Sequence, residues 1–275
     1  METKLVEKPE YIEMPAIDLL KICELMNVIV CDVKIKFAKG KMIITAVDPS
    51  HVAMIGLEYE TDWTTTTEVP EVVSLEIRTL REALKLAKVD RVKGERVSNK
   101  VRLYPGENGK LGVELIVGGV QYRTNLICLD SDTLNTPIIP SLKDLTTVTL
   151  DGLDFWKRVE FCRNTGDLAI VRVEKNVLEI GVNHTVAVDN PQDNQMRSCV
   201  TTSELSESKQ DSDVKSQYSL TYLKPIAKVF KKQLIKIGFG EAYPLLISCD
   251  YDFEHNVESQ MNVTYFLAPR VESDY

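Results

Sequence analysis

The chain has only three histidines, no Cys-x-x-Cys pair and no apolar run of membrane-spanning length. Each lack excludes something. The six cysteines are Cys23, Cys31, Cys128, Cys162, Cys199 and Cys249, and none has a histidine two to five positions away. A zinc site of the usual spacing is therefore not expected. Most of these cysteines sit in apolar stretches and read as reduced core residues. No segment approaches the roughly 18 to 20 apolar residues of a membrane span. The opening METKLVEKPEY is charged and carries no stretch of leader length, so a soluble intracellular protein with no membrane contact is expected. There is no Walker loop, no G-x-G-x-x-G, no nucleophile elbow and no histidine-metal cluster. No catalytic residue, metal or cofactor is expected.

What is present begins with size and charge. The 275 residues, 44% of them apolar, suffice for one large domain or two ordinary ones. Basic residues number 33 against 41 acids, a net charge of −8. Bulk attraction to nucleic acid is excluded, so a role on DNA needs the positive charge gathered on one surface.

Most of the chain reads as short strands, at 33–47, 51–59, 101–117, 168–182, 243–251 and 261–269. Several form pairs across the turns Lys39-Gly40, Asn108-Gly109 and Lys175-Asn176. Four stretches read as helices: 15–26, 74–89, 151–164 and 221–234. Each half has one helix early and one in its middle, which indicates a duplicated α+β unit. The stretch 129–145, with two prolines and no period, reads as a connector between domains 1–128 and 146–275. The polar stretch 190–217 reads as a long loop around one short strand.

The second helix sets Leu80, Ala83, Leu84 and Ala87 at i, i+3, i+4, i+7, with Arg78, Arg81, Lys85 and Lys88 on the other side. The fourth repeats this. Leu223, Ile226, Ala227 and Phe230 form the apolar stripe, and Lys224, Lys228, Lys231 and Lys232 lie opposite. Pro225 fits only a first turn. The third helix adds Lys157, Arg158 and Arg163 beside Asp154 and Glu160. A solvated face is the plain reading of such charges. Their concentration on the helices of an acidic protein points instead to an electrostatic DNA surface. No aromatics alternate with these lysines, so the contacts expected are to phosphates, non-specific and salt-sensitive.

The stretch DPSHVAM, the connector ending IIP and the C-terminal YFLAPRVE together resemble the archaeal and eukaryotic DNA sliding clamps, the proliferating cell nuclear antigen family. DPSHVAM leans archaeal or viral. The order and spacing agree from about Ala16 to Glu272. The first dozen residues and 190–217 are longer than the family usually has.

The resemblance implies an α+β DNA clamp fold of two similar domains. Helices line a ring interior, and antiparallel sheets lie outside. It implies a homotrimer closed head to tail through edge strands, expected near Gly118–Leu126 and Leu178–Val188. The DNA contacts it implies are Lys21, Arg78, Arg81, Lys85, Lys88, Lys157, Arg158, Lys224, Lys228 and Lys231. The first helix departs from the family pattern, with Asp18, Lys21 and Glu24 where relatives often carry several lysines.

By its residues alone, His51 is open to reading as a base, a metal ligand or a turn histidine. The resemblance places it with Val47 and Val52 in an apolar pocket shared with Ile138, Ile139, Pro140, Pro244, Phe266, Leu267, Ala268 and Pro269. That pocket takes short aromatic-ended motifs of a polymerase, flap nuclease or DNA ligase, and a clamp loader opens the ring. The implied function is a processivity factor. The alternatives are a clamp relative that does not close on itself, and a DNA-modifying enzyme. The compartment follows the source: cytoplasm or nucleoid if archaeal, nucleus if eukaryotic, host nucleus or cytoplasm if viral.

Overall fold

The computed structural model describes residues 11–38, 40–61, 64–65, 71–88, 91–92, 95–96, 98–142, 145–163, 166–174, 177–183, 195–201, 205–206, 214–253 and 259–270. The chain forms two compact units that are not consecutive stretches. The first takes residues up to Ala46, then Leu57–Pro137 and Phe253–Met261. The second takes Val47–Gly56, Ile138–Asp252 and the residues from Asn262 on.

The chain order through the first unit is β1 (Ile12–Pro15), α1 (Ala16–Met26), β2 (Asp32–Ala38), β3 (Lys41–Val47), β4 (Ala53–Glu60), β5 (Thr64–Thr65), β6 (Val72–Glu76) and α2 (Ile77–Ala83). A 3-10 turn (Lys85–Lys88), β7 (Arg91–Val92), β8 (Glu95–Arg96), β9 (Lys100–Pro105), β10 (Leu111–Val117) and β11 (Val120–Leu126) follow. One antiparallel sheet runs β11-β10-β9-β1-β5. A second layer holds β6, β2 and β3, with the later half of β4 beside β3. The helix α1 packs on β1 and β9, and α2 lies against it. Eight residues of α1 are buried, among them Leu19, Leu20, Ile22, Leu25 and Met26, so both its faces are covered. That double burial explains why α1 carries only one lysine. Asp18 is buried too, and accepts from the Tyr59 hydroxyl (2.8 Å) and the Ser259 hydroxyl (2.7 Å).

The second unit repeats the plan. Its elements are β12 (Thr146–Asp151), α3 (Gly152–Arg163), β13 (Leu168–Glu174), β14 (Val177–Asn183), β15 (Gln195–Thr201), β16 (Leu205–Ser206), β17 (Val214–Ser219), α4 (Leu220–Val229), β18 (Leu234–Phe239), β19 (Leu245–Tyr251) and β20 (Gln260–Leu267). One sheet runs β15-β14-β13-β17. The other runs β16-β12-β18-β19, followed by β20 and the start of β4. In both units each α-helix starts on the residue after a strand, with no intervening loop. This shared strand-to-helix step is the duplication that the helix spacing predicts.

Five expectations are corrected. Residues 74–76 belong to β6, because the β-branched pair Val72-Val73 continues in register with β2. The fourth helix stops at Val229, since Leu234 onward pairs with β12 and β19. Lys231 and Lys232 therefore lie in a turn. Pro225 sits in the second turn of α4, leaving the Thr221 carbonyl without the usual i+4 donor. The stretch 190–217 contains β15, β16 and the start of β17 among its described residues, rather than one short strand. The edge strand of the second unit's four-stranded sheet is consequently β15. Residues 177–183 lie inside that sheet as β14, and 184–188 fall outside the described residues, as do Lys39, Lys175 and Asn176 of the expected turns. The first expected edge, near Gly118–Leu126, is β11.

Candidate functional site

The turn after β3 is organised by one carboxylate. Asp48 is buried and accepts from the backbone amides of Ser50 (3.0 Å), Val52 (2.6 Å) and Ala53 (2.6 Å). Its second oxygen also takes the Tyr222 hydroxyl of α4 at 2.9 Å. The backbone closes the same turn, with His51 N donating to Asp48 O and Asp48 N to Ala53 O, both at 2.9 Å. Burial works to raise the Asp48 carboxyl. The bonds from Ala53, Tyr222, Ser50 and Val52 outweigh it and hold the group below the ordinary carboxylate range. The turn presents His51 in the left-handed region (φ 56°) and exposed. Such a position costs a non-glycine residue roughly 1–2 kcal/mol.

The C-terminal segment is tied to this turn. Ala268 N donates to Val52 O at 2.8 Å as the chain leaves β20. Phe266 and Leu267 are buried core residues, while Ala268 and Pro269 are half-buried. Only the latter two present side chains to solvent. Val47 and Val52 are half-buried as well. In the connector, Ile138 is 91% exposed, Pro140 is exposed, and Ile139 is 46% exposed. Ile139 rests on Gly56: a Cβ there would stand 2.6 Å from its Cδ1. Pro244 is half-buried after a turn whose Tyr243 carbonyl accepts the Tyr218 hydroxyl at 2.9 Å. The structure thus joins Val52 to Ala268 and Ile139 to β4. Asp48, Gly56 and Tyr222 are supporting residues that the sequence reading does not single out. An Asp opening a Pro-Ser turn signals the first; no local pattern signals the other two.

Gly56→Ala is expected to push Ile139 off β4, because the crowding atom is the tip of a flexible side chain. The check is trypsin cleavage of the connector at Lys143, which should be faster than in the parent, with an unfolding midpoint close to the parent's.

Most of the ten helix cations have acids close by. Glu24 takes Lys21 (2.7 Å) and Lys88 (2.8 Å), and despite burial these two lysines hold its carboxyl low. Glu76 takes Arg78 at 3.1 Å, and Glu82 takes Lys85 and Arg81. In the second unit Lys157 stands 3.8 Å from Asp154, and Lys224 bonds Glu160 across α3 and α4 at 2.9 Å. Lys231 lies over the Trp156 ring, 3.0 Å from its centroid. Arg158 is half-buried on α3. Lys228 is exposed and has no ion pair among the described residues. Five cations thus face Glu24, Glu76 and Glu82 in the first unit. In the second, Lys157 and Lys224 face Asp154 and Glu160. Both units keep a positive surplus, larger in the second.

No protein-family model matches the chain. The DNA polymerase sliding clamp of Thermoplasma volcanium is 26% identical over 257 residues, 93% of this chain and 96% of that protein. The sliding clamp of Methanosarcina barkeri is 28% identical over 253 residues, 90% and 93% of the two chains. Among solved structures, A. fulgidus PCNA bound to the C-terminal region of FEN-1 superposes with a TM-score of 0.76 at 22% identity. That match covers 96% of this chain and all of the other. The PCNA2–PCNA3 complex of Sulfolobus tokodaii gives 0.69 at 16% identity, over 95% and 100%. The fold is that of a DNA clamp, an α+β architecture with mostly antiparallel sheets. Over nearly its whole length the chain is similar to DNA polymerase sliding clamps.

Proposed function

We propose that the protein is a replication and repair clamp. It encircles duplex DNA in a ring of three clamp subunits and tethers a polymerase and other enzymes to it. The end-to-end match with sliding clamps carries the reading. A ring cannot leave DNA sideways, yet it slides because contacts to phosphates are non-specific and exchange freely. Holding a weakly bound polymerase at the primer end raises its local concentration. No reaction is catalysed. Duplex DNA is the substrate of the helix cations, and a clamp loader opens the ring.

Polymerase, flap nuclease and ligase dock through short aromatic-ended motifs beside the His51 turn, the connector isoleucines and the segment Ala268-Pro269. Two observations support this placement. The exposed apolar residues Ile138 and Ile139 offer surface for aromatic anchors. The bond from Ala268 N to Val52 O holds the C-terminal segment against the turn, where an extended peptide can pair with it.

Calorimetric titration with a synthetic peptide from the C-terminal region of a flap nuclease tests the reading on a single subunit. Binding is expected, and Ile139→Ala combined with His51→Ala is expected to weaken it at least a hundredfold, about 2.7 kcal/mol. Undiminished affinity in the double variant would move the docking surface elsewhere. A parent protein that binds no such peptide would remove the tethering role.

A further inference from the structure

Lys231 differs from the acid-paired cations in what holds it. Its ammonium lies over the Trp156 ring, 3.0 Å from the centroid, and it has no ion pair among the described residues.

The backbone fixes this arrangement. On α3, Gly152 and Trp156 stand four residues apart, one turn along the same face. Gly152 lets the turn after α4 close on the helix. Its N–H donates to Gln233 O at 2.9 Å, and a Cβ there would stand 1.9 Å from Phe230 O. Gln233 N closes the turn on Phe230 O at 2.9 Å. The Gln233 side chain donates to Asp252 O (3.2 Å) and accepts from Asp252 N (2.8 Å). Residues 230–233 are thus tied to α3 on one side and to the end of β19 on the other. Lys231 is carried on that turn, and Trp156, one helical turn on from Gly152, meets its ammonium.

The ring contributes its face. Trp156 is half-buried, and its indole N–H is buried with no hydrogen-bond partner among the described residues. An unmet donor is a cost, so the N–H is not what the indole supplies here. The electron-rich face is, and it attracts the ammonium. This differs from holding a lysine with an acid. Glu82 holds Lys85, and Glu160 holds Lys224, by cancelling much of the charge. A neutral ring holds Lys231 and leaves its charge whole. Glu160, one turn beyond Trp156, is engaged by Lys224 at 2.9 Å and leaves Lys231 unclaimed.

A lysine also loses much rotamer freedom when it binds a ligand. On the ring, part of that freedom is already gone, so less is lost when an anion arrives. The ammonium donors that do not face the ring are left for that anion. Lys228, in the last turn of α4, is exposed and has no ion pair among the described residues either. Two uncancelled positive charges at this end of α4 favour a polyanion over a single carboxylate.

We propose that Trp156 and Lys231 form an aromatic phosphate seat, in which the ring positions the ammonium and the ammonium binds a backbone phosphate of the duplex. The proposal rests on the reading above that the helix cations bind DNA. Trp156 is a positioning residue: it acts through Lys231.

The test is a double-mutant cycle on the full chain, read by fluorescence anisotropy of a labelled duplex over a salt series. Lys231→Gln removes one phosphate contact and is expected to reduce the slope of log Kobs against log salt by about 0.9. Trp156→Leu leaves the charge in place. It is expected to weaken binding about fivefold at every salt concentration, with the slope unchanged. The double variant is expected to bind as Lys231→Gln alone, since the ring has nothing left to position. Should Trp156→Leu not fold, Trp156→Phe keeps an aromatic of smaller face, and about a twofold loss is expected, again absent without the lysine. Losses that add in the double variant overturn the proposal, because the ring then acts through packing. So does a folded Trp156 variant that binds like the parent, and so does a Lys231→Gln slope equal to the parent's. These three outcomes leave the DNA reading standing. A parent that binds no duplex removes that reading and this inference together.

Discussion

Asp48→Ala is expected to lower stability by about 3 kcal/mol and to abolish binding of the aromatic-ended peptide. The substitution deprives three backbone amides and one phenol of their shared acceptor. Hydrogen bonds to a charged group contribute roughly 1.5–3 kcal/mol each. The Ser50 amide can turn to water, but the Ala53 amide is buried and cannot. The total is therefore below the simple sum. With the carboxylate gone, only the backbone bonds from His51 N to Asp48 O and from Asp48 N to Ala53 O are left to hold His51 in its left-handed conformation, and Val52 is held less firmly beside Ala268. Asp48→Asn keeps one acceptor oxygen and is expected to lose about half as much. Tyr222→Phe, which removes a single donor, should cost about 1 kcal/mol. Urea unfolding and peptide titration on the three variants check the order.

The same carboxylate gives a pH dependence whose sign is fixed. Its folded-state value lies below the unfolded one. The stability it contributes is fully present above the unfolded carboxylate range, near pH 4, and is lost as pH falls through the folded value. Asp48→Asn should flatten the stability curve on that acid side. It should leave the curve above pH 5 parallel to the parent's.

These residues mark where the sequence is informative and where it stops. The hairpin at Asn108-Gly109 is legible because both residues adopt positive φ (56° and 69°), which few other pairs tolerate. The buried stripes of α2 and α4 are legible from period alone: Leu80, Leu84, Leu223, Ile226 and Phe230 are all fully buried. Helix ends are not. The pattern of α4 runs on past Val229, but β18 gains more by pairing on both sides than the helix would by another turn. The 190–217 stretch reads as loop since its polar composition hides strands specified by partners elsewhere. In the site, Asp48 announces its turn, whereas its partner Tyr222 lies 174 residues away. The seat that Gly56 offers Ile139 is equally a tertiary fact. The helix lysines are visible individually, but Glu24 pairing with Lys88 of another element is not.

Those acid partners set the expected ranking among the DNA contacts. Reversing Lys228 should weaken duplex binding more than reversing Lys85, although the second and fourth helices present them alike in sequence. Lys85 is already paired with Glu82. Its charge is partly spent on a neighbour one turn away, and a phosphate must compete for it. Surface pairs of this kind are worth about 0–1 kcal/mol, so the competition is not prohibitive, but it lowers the gain. Lys228 stands exposed with no ion pair among the described residues, near a surplus of cations on α3 and α4. Removing one cation that neutralises a phosphate should reduce the slope of log Kobs against log salt by about 0.9. Lys228→Glu is expected to reduce it by at least that amount, and Lys85→Glu by less, with both variants as stable as the parent. Fluorescence anisotropy with a labelled duplex over a salt series measures both slopes. Equal slopes in the two variants would mean that the ion pairs open freely and that all the helix cations act alike. Slopes unchanged from the parent would remove the helices from the DNA surface altogether.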